Sequence, residues 1–355
     1  MKIGLLTSGG DCQGLNASIR GVAKTLYNHI PDLEIHGILD GYRGLIEGDI
    51  RKMEPHEFSG IIRTGGTILG TSRQPFKNMR DPLENNTDKL SMMLDNYKRH
   101  SFDALVILGG NGTHKSAYLL SQNGVNVVTL PKTIDNDLYG TDYTFGFDSA
   151  VDKATSIIDA IHTTAASHGR IFVVELMGNK VGWITLYAGI AGGADVILIP
   201  EIPYDTDLVL AAVEKRREGG KNFSIITIAE GALTKTEAAL PKKERKRDTN
   251  PAGAKLVAQL SAKLPERDVR LMLPGHYQRG GEPTPTDRML CSRLGAKAGE
   301  LIIKKKFGYM AAMRGGEIVA VPLAEVAGKL KTVQPDCQIV RQAKLLGISL
   351  GDTAV

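Results

Sequence analysis

Short runs of apolar residues alternate with amphipathic stretches along most of the chain. Eight runs have the length and composition of buried strands, at residues 3–6, 35–39, 104–108, 125–130, 171–176, 196–199, 224–229 and 269–273. Between them, helical patterns occur at residues 16–29, 151–164, 207–217 and 255–263. Continuous apolar strands separated by helices are typical of parallel sheets covered on both faces. The pattern therefore predicts a doubly wound α/β fold with its strands divided between two sheets.

The length of the chain, 355 residues, indicates about two domains with substantial cores. We place the first boundary near Gly146, before a long helical pattern, although no Pro/Ser-rich linker marks it. A single cut fits the remaining chain poorly, so we expect the chain to cross back. The expected domains are 1–146 with about 277–328, and 147–276 with about 329–355.

Composition and charge mainly exclude classes of protein. Lys and Arg exceed Asp and Glu by 44 to 39, without a recognisable nucleic-acid-binding module. Such a mild excess suits an anionic small substrate equally well. No apolar run approaches the roughly 20 residues of a membrane span, and the first run is too short for a signal-peptide core. We therefore expect a cytoplasmic protein with neither a nucleic-acid nor a membrane partner.

Two smaller features complete this picture. The three cysteines, Cys12, Cys291 and Cys337, are far apart and lack metal-ligand spacing, which predicts neither a disulfide framework nor a zinc site. The charged segment 234–250 is compositionally unusual. It is either a basic lid over an anionic substrate or, as we favour, a solvated insertion.

Two glycine-rich turns follow predicted strands and precede helical patterns. They are Thr-Ser-Gly-Gly-Asp-Cys-Gln-Gly-Leu-Asn at 7–16 and Gly-Gly-Asn-Gly-Thr at 109–113, where Thr113 is a plausible helix cap. Glycines allow backbone N–H groups to approach a phosphate, and a helix N-terminus favours an anion. The first turn is neither a Walker A loop nor a dinucleotide fingerprint, and an ordinary tight turn remains its alternative. Together the two turns suggest a polyphosphate that spans both strand ends.

A third turn, Pro-Lys-Thr-Ile-Asp-Asn-Asp at 131–137, carries the most chemistry. Two carboxylates, an amide, a hydroxyl and an ammonium follow one buried strand. In phosphoryl transfer a carboxylate can accept the proton of the attacking hydroxyl, while cations offset charge on the transferred group. Asp135 and Asp137, two residues apart, are expected to point the same way from an extended turn. The alternative is a structural turn rich in Asp and Asn.

These turns resemble the phosphofructokinase family. Further matching motifs are Met177-Gly178, Ala191-Gly192-Gly193, Pro200-Glu201 and Gly-His-Tyr-Gln-Arg-Gly-Gly at 275–281. The motifs occur in the family's order from residue 2 to about 320 and are highly specific as a set. The resemblance implies two Rossmann-like domains with parallel-rich sheets and chain crossovers, the first for the phosphoryl donor and the second for the sugar phosphate. It also implies phosphorylation of the C1 hydroxyl of fructose 6-phosphate, with ATP and Mg²⁺, by a homotetramer or dimer.

The resemblance also implies roles for individual residues. Asp135 matches the catalytic base, with Thr133, Asp137 and Lys132 beside it, and the metal positions are Asn111 and Asp137. The residues that match the fructose 6-phosphate site are Arg170, Met177, Gly178, Glu230, Arg270, His276 and Arg279. Those that match the nucleotide side are Gly10, Tyr42, Arg73, Gly110, Gly112 and Thr113, with Arg73 at the terminal phosphate. In the family, the counterparts of Arg170 and Arg270 reach across a subunit interface.

Three positions bear on the phosphoryl donor. Asn111 replaces the aspartate of bacterial ATP-using members, and an amide is a weaker ligand for Mg²⁺. Lys132 is typical of pyrophosphate users but also occurs in some ATP users, whereas Gly112 leaves room for an α-phosphate where pyrophosphate users carry aspartate. The combination resembles the mixed ATP/pyrophosphate branch, and we favour ATP. Open alternatives are pyrophosphate as donor, another substrate such as sedoheptulose 7-phosphate, an NAD or lipid kinase, and a non-enzymatic sugar-phosphate sensor.

Overall fold

The structure is a computed structural model that describes residues 1–81, 88–245 and 249–353. Residues 246–248 of the charged segment lie outside the described residues. The chain divides into two compact units: unit 1 comprises Met1–Ser149 and Arg279–Lys331, and unit 2 comprises Ala150–Gln278 and Thr332–Val355. The sequence-based cuts after 146, 276 and 328 lie a few residues from these limits. The roles given to the two domains remain predictions.

Eleven strands are present in the described residues: β1 (Lys2–Ser8), β2 (Glu34–Ile38), β3 (Ile50–Met53), β4 (Ala104–Gly109), β5 (Val127–Pro131), β6 (Ile171–Leu176), β7 (Val196–Leu198), β8 (Ser224–Ala229), β9 (Val269–Met272), β10 (Tyr309–Arg314) and β11 (Glu317–Pro322). The described α-helices are α1 (Leu15–Tyr27), α2 (Tyr42–Glu47), α3 (Lys89–Arg99), α4 (Asn111–Gln122), α5 (Phe147–His168), α6 (Trp183–Ala191), α7 (Thr206–Glu218), α8 (Lys235–Ala239), α9 (Lys242–Arg245), α10 (Ala252–Lys263), α11 (Pro285–Ile303), α12 (Leu323–Val326) and α13 (Gln338–Leu345). Within these ranges, no helix combines the length and the apolarity that crossing a membrane requires.

Unit 1 is built on a seven-stranded sheet with the order β11-β10-β5-β4-β1-β2-β3. Its central strands are parallel, while β3 and β11 pair antiparallel at the edges. β4 is buried along its whole length, which explains why it consists of continuous apolar residues. In the sheet register, Ser8 pairs with Gly109 and Gly109 with Pro131. The carboxyl ends of β1, β4 and β5 therefore lie side by side.

Unit 2 contains a four-stranded, entirely parallel sheet with the order β7-β8-β6-β9. β8 is fully buried and β6 almost so. The predicted α/β fold with parallel-rich sheets is confirmed, and each of the eight apolar runs forms a strand. The prediction omitted β3, β10 and β11. β3 carries the exposed Arg51 and Lys52, and β10 is rich in Ala and Met, which are weak indicators of strand.

Two helices of unit 1, α1 and α11, pack with their backbones in close contact. A Cβ at Gly21 would lie 3.1 Å from the carbonyl oxygen of Ser292, and one at Gly295 would lie 2.7 Å from that of Ser18. Side chains at these positions would separate the helices. Because α1 begins just beyond β1, this packing holds the first glycine-rich turn in place.

The start of α5 is held by a buried carboxylate. Asp287, which is 0% exposed, accepts hydrogen bonds from the backbone N–H groups of Gly146 and Ser149, at 3.0 and 2.9 Å, and from Ser149 Oγ at 2.6 Å. Burial raises the pKa of Asp287 to about 6, although the bonds from Ser149 and Gly146 oppose this rise. The N–H groups in the first turn of a helix have no acceptor within the helix, and here the Asp287 carboxylate accepts hydrogen bonds from two of them.

Candidate active site

The three turns singled out in the sequence lie at one edge of the unit 1 sheet. They follow β1, β4 and β5, which are adjacent and in register at their carboxyl ends. In open α/β sheets this edge is where ligands bind. Two helices, α1 and α4, begin directly beyond it, so their N-terminal N–H groups lie at the same edge.

The turn after β5 is not extended as the sequence analysis expected. Asn136 has a φ of 51°, in the left-handed region, so the chain reverses between Asp135 and Asp137. Asparagine tolerates this conformation, and its Oδ1 accepts a hydrogen bond from the Thr144 N–H at 3.0 Å. Simple alternation along a strand therefore does not describe how the two carboxylates are presented.

Asp135 is a partly buried carboxylate in cationic surroundings. Its N–H donates to Thr133 Oγ1 at 3.2 Å. Burial raises the pKa of the Asp135 carboxyl, whereas the positive charges of Arg279 and Lys132, the Thr133 hydrogen bond and the charge of Arg73 all lower it. A carboxylate in these surroundings can accept the proton of an attacking hydroxyl group.

Lys132 connects the third turn to the first. Its side chain is 4% exposed, and Nζ donates a hydrogen bond to the carbonyl of Gly10. Burial lowers the pKa of Lys132, and the nearby Asp135 and Asp137 charges act in the opposite direction. The neighbouring Cys12 remains a thiol because burial raises its pKa to about 12.

Arg279 occupies the space left by a glycine. Nη1 of Arg279 donates to the carbonyl of Asp11 at 2.9 Å, and a Cβ at Gly10 would also lie 2.9 Å from Nη1. Among the described residues, the buried Nε of Arg279 has no hydrogen-bond partner. The missing side chain of Gly10 thus makes room for the guanidinium, a function that the sequence analysis did not assign to it.

The turn after β4 differs from the sequence-based expectation at Thr113. α4 begins at Asn111 with Gly110 as its N-cap residue, so Thr113 lies inside the first turn and does not cap the helix. Tyr42 is 1% exposed, and its hydroxyl donates to the Thr113 carbonyl at 2.9 Å. This hydrogen bond from the buried Tyr42 stabilises the turn. In contrast, a Cβ at Gly112 would have no heavy atom within 4 Å.

The proposed metal positions have different environments. Nδ2 of Asn111 donates to the Lys329 carbonyl, which an aspartate at this position could not do. Within the described residues, no group of three or more His, Cys, Asp or Glu side chains is placed to hold a metal ion. Mg²⁺ in phosphoryl-transfer sites is usually held by one or two carboxylates together with phosphate oxygens and water. The side-chain oxygens of Asp137 and Asn111 are ligand types compatible with such a site, in which the substrate would supply the other ligands.

In unit 2, the residues matched to the sugar-phosphate site form two groups, one beyond the carboxyl ends of the strands and one at their amino ends. Met177, Gly178 and Glu230 directly follow the parallel strands β6 and β8, and His276 follows β9 in the 3₁₀-helix Gly275–Arg279. Arg170 immediately precedes β6, and Arg270 is the second residue of β9. A six-residue strand spans about 20 Å, so one unit 2 does not bring all six residues together.

Asp268 forms ion pairs with the two arginines at the amino ends of the strands. Its carboxylate accepts from Arg170 Nε at 2.6 Å and from Arg270 Nε at 2.7 Å, and β6 and β9 pair so that Arg270 lies opposite Phe172. Hydrogen bonds from Arg170 and Arg270 lower the pKa of Asp268 despite partial desolvation. Beyond the carboxyl ends of the strands, the Gly178 N–H donates to Glu230 Oε1 at 3.4 Å and the Met177 N–H donates to Gln278 Oε1 at 3.2 Å.

Two further residues near the site, Asp268 and Lys331, were not predicted from the sequence. Burial lowers the pKa of Lys331 to about 8, and the charges of Asp142 and Asp137 oppose this shift. Neither residue belongs to a glycine-rich motif or follows the carboxyl end of a predicted strand. Asp268 could have been noticed only because it lies two residues before Arg270, which was predicted to bind phosphate, and nothing in the sequence marks Lys331.

Comparisons with known proteins identify the family of this chain. The family model described as Phosphofructokinase matches residues 2–302. A Spirochaeta thermophila protein named ATP-dependent 6-phosphofructokinase is 52% identical, with 98% of this chain and 97% of that protein covered. A Bacteroides thetaiotaomicron protein named ATP-dependent 6-phosphofructokinase 3 is 46% identical, with 99% of this chain and 100% of that protein covered.

A solved structure confirms the fold independently. The pyrophosphate-dependent phosphofructokinase of Nitrosospira multiformis superposes with a TM-score of 0.81 at 20% sequence identity, covering 99% of this chain and 93% of that chain. At this identity the likeness concerns the fold alone. The family model and the two relatives, which extend over nearly the whole chain, determine the classification. The chain belongs to the phosphofructokinase family.

Proposed function

We propose that the protein is an ATP-dependent 6-phosphofructokinase, which phosphorylates the C1 hydroxyl of fructose 6-phosphate to form fructose 1,6-bisphosphate. Two relatives with this name are 52% and 46% identical over nearly the whole chain. The structural observation that carries the proposal is the partly buried Asp135 carboxylate, on which the charges of Arg279, Lys132 and Arg73 act. Phosphoryl transfer needs this combination of a proton acceptor and fixed cations. We place the reaction in glycolysis and in the cytoplasm.

In this mechanism Asp135 accepts the proton of the attacking hydroxyl. The cations around it offset the charge of the transferred group, and the N-termini of α1 and α4 favour phosphates at the same sheet edge. Arg73 and the backbone around Gly110 and Thr113 contact the donor. Asp137 and Asn111 would hold Mg²⁺, which when bound would neutralise part of the charge of the donor phosphates.

We assign the sugar phosphate to Arg279 together with Arg170, Met177, Gly178, Glu230, Arg270 and His276. The guanidinium of the half-buried Arg279 carries N–H donors, from which phosphate oxygens can accept hydrogen bonds. Glu230 can only accept hydrogen bonds when ionised, which suits sugar hydroxyl groups. The remaining polar residues of the set supply donors to the phosphate.

A coupled assay with fructose 6-phosphate tests the proposal. We expect Mg²⁺-dependent turnover with ATP, and much less with pyrophosphate in place of ATP or with sedoheptulose 7-phosphate in place of fructose 6-phosphate. Efficient turnover with pyrophosphate alone would assign the protein to the pyrophosphate-dependent class. Binding of fructose 6-phosphate without turnover by either donor would instead support a sensor.

The close approach of Gly10 and Arg279 leads to a specific prediction. In the Gly10→Ala variant, the new methyl group would push the guanidinium away from the Asp11 carbonyl. We expect KM for fructose 6-phosphate to rise about 10-fold, which corresponds to about 1.4 kcal/mol, while KM for ATP changes little. Steady-state kinetics with each substrate varied in turn measures both values.

The matched control for this prediction is Gly219→Ala in unit 2. Like Gly10, Gly219 lies outside the left-handed region, and a Cβ there would meet its nearest heavy atom at 3.4 Å. Both KM values should stay at the wild-type level in this variant. If Gly10→Ala raised KM for ATP and left that for fructose 6-phosphate unchanged, Gly10 would serve the nucleotide directly.

We further propose that the active protein is a homo-oligomer, a homotetramer or a dimer. The matched residues of unit 2 lie in two groups at opposite ends of its strands. A complete sugar-phosphate site therefore requires the amino-end group of a second copy. Arginines that reach an anionic ligand across an interface also make each site depend on association.

Subunit hybrids test this arrangement. Arg170→Ala and Glu230→Ala subunits are co-expressed with different affinity tags, and the mixed oligomer is isolated by two-step purification. A two-fold dimer of this kind contains one native and one doubly altered site, so about half of the wild-type kcat should return. The control hybrid of Arg170→Ala with Arg270→Ala has no native site and should stay inactive. Equal activity of the two hybrids would disprove sharing of sites between subunits.

A further inference from the structure

The last segment of unit 1, residues 328–331, runs beside the turn that carries Asp135. Leu330 forms an antiparallel bridge with Leu138, and the Lys331 N–H donates to the Asp137 carbonyl at 2.9 Å. These residues lie after β11 and α12, far from the turn in sequence. We call residues 328–331 the brace.

The ammonium group of Lys331 is the centre of this contact. Nζ donates to Asn136 Oδ1 at 2.8 Å, to the Thr141 carbonyl at 3.0 Å and to the Asp142 carbonyl at 2.7 Å. An ammonium has three N–H donors, which suits it to bind several acceptors at once. The acceptors lie at the beginning and at the end of the loop 136–142, which follows Asp135. One ammonium group therefore joins the two ends of that loop.

Asn136 transmits this contact to the backbone. Its Oδ1 accepts from Lys331 and also from the Thr144 N–H, while its own φ of 51° produces the reversal between Asp135 and Asp137. Loss of the ammonium would remove one donor from the partly buried Thr141 carbonyl, from the Asn136 amide oxygen and from the exposed Asp142 carbonyl. A turn with unsatisfied acceptors relaxes toward other conformations because the desolvation cost is no longer compensated.

The brace also contacts the turn after β4. The Lys329 carbonyl accepts a hydrogen bond from Asn111 Nδ2 at the first residue of α4. One short segment therefore joins the turn with the proposed base to the turn with the proposed donor site. An asparagine at 111 suits this arrangement, since an aspartate would place its charge beside a carbonyl oxygen.

We propose that Lys331 is a positioning residue that holds the turn of Asp135 and Asp137 in its reactive geometry through Asn136 and the carbonyls of Thr141 and Asp142. The proposal rests on the proposed function, because it assumes that this turn performs the chemistry. Lys331 itself need not touch substrate. Its effect is on the placement of the proton acceptor, where a displacement of about 1 Å can cost about 100-fold in rate.

The test compares Lys331→Met with the control Lys304→Met. Methionine keeps much of the length of lysine but removes all three donors. Lys304 lies at the end of α11, where it pairs with Glu300 on the surface. We expect Lys331→Met to lower kcat about 10-fold to 100-fold with KM for both substrates changed less than about 3-fold. Lys304→Met should match the wild type.

A second variant keeps the test valid if Lys331→Met folds poorly. Asn136→Gly removes the Oδ1 acceptor but retains the left-handed φ, which glycine adopts without strain. It should lower kcat with little change in KM, and its effect should be less than additive with that of Lys331→Met. Full kcat in either variant, or additive effects, would overturn the proposal.

Peptide-level hydrogen exchange separates this proposal from the proposed function. In Lys331→Met, amide exchange should accelerate in residues 133–145 and remain unchanged in β1 and β4, whatever the substrate of the enzyme is. Exchange that is unchanged in 133–145, or faster throughout unit 1, would show that Lys331 does not specifically hold the turn. Failure of the proposed function would appear instead as absent turnover in the wild type.

Discussion

Replacement of Asp135 by asparagine is expected to lower kcat at least about 10³-fold, which is within the range for loss of a general base. The amide retains the shape of the carboxylate but cannot accept the proton of the attacking hydroxyl. Binding of fructose 6-phosphate should change little, because Arg279 and its contact with Asp11 remain. Single-turnover rates and equilibrium binding of the sugar phosphate measure the two effects separately.

The pH dependence provides a second test of Asp135. Burial raises the pKa of this carboxyl above its ordinary value of 3.8. The base functions only when unprotonated, so wild-type kcat/KM should fall as pH decreases through this raised pKa. The acidic limb should disappear in Asp135→Asn.

The control for Asp135→Asn is Asp152→Asn, which alters an exposed carboxylate on α5. Its kcat and pH profile should match the wild type. If Asp135→Asn kept more than a tenth of wild-type kcat, or kept the acidic limb, Asp135 would not be the base.

Gly112→Asp is expected to separate the two possible donors. Gly112 is exposed in the first turn of α4, and a Cβ there would enter open space. A carboxylate in that space would approach the α-phosphate of ATP, and such like-charge contacts cost several kcal/mol. We expect kcat/KM for ATP to fall about 10³-fold, since each 1.4 kcal/mol corresponds to a factor of ten. Pyrophosphate has no third phosphate, so any activity with it should be nearly unchanged.

Gly112→Asn is the matched variant for this experiment. Asparagine has the volume of aspartate without its charge, so the loss with ATP should be much smaller than for Gly112→Asp. Equal losses would assign the effect to volume rather than repulsion. Full ATP-dependent turnover in Gly112→Asp would show that the donor does not extend over this position.

Much of the fold followed from local patterns. The buried strands are continuous apolar runs, and β4 and β8 are buried along their entire length. The edge strand β3 was missed because two of its four residues are exposed and basic. The same reasoning predicted where the three turns lie, because parallel strands place their carboxyl ends at one edge. It failed for the reversal at Asn136, which depends on hydrogen bonds from Thr144 and Lys331.

The sequence alone determined the strand and helix pattern, the family resemblance and the residue types at the site, because each of these depends on neighbours within one element or turn. Only the tertiary structure decided how individual residues act. Gly10 makes room for Arg279, and the Asp11 carbonyl that holds this arginine is 268 residues away from it in sequence. Asn111 and Lys329 are separated by 218 residues, and Asn136 and Lys331 by 195. No local pattern encodes such pairs, since each contact exists only once the sheet and the returning chain have packed together.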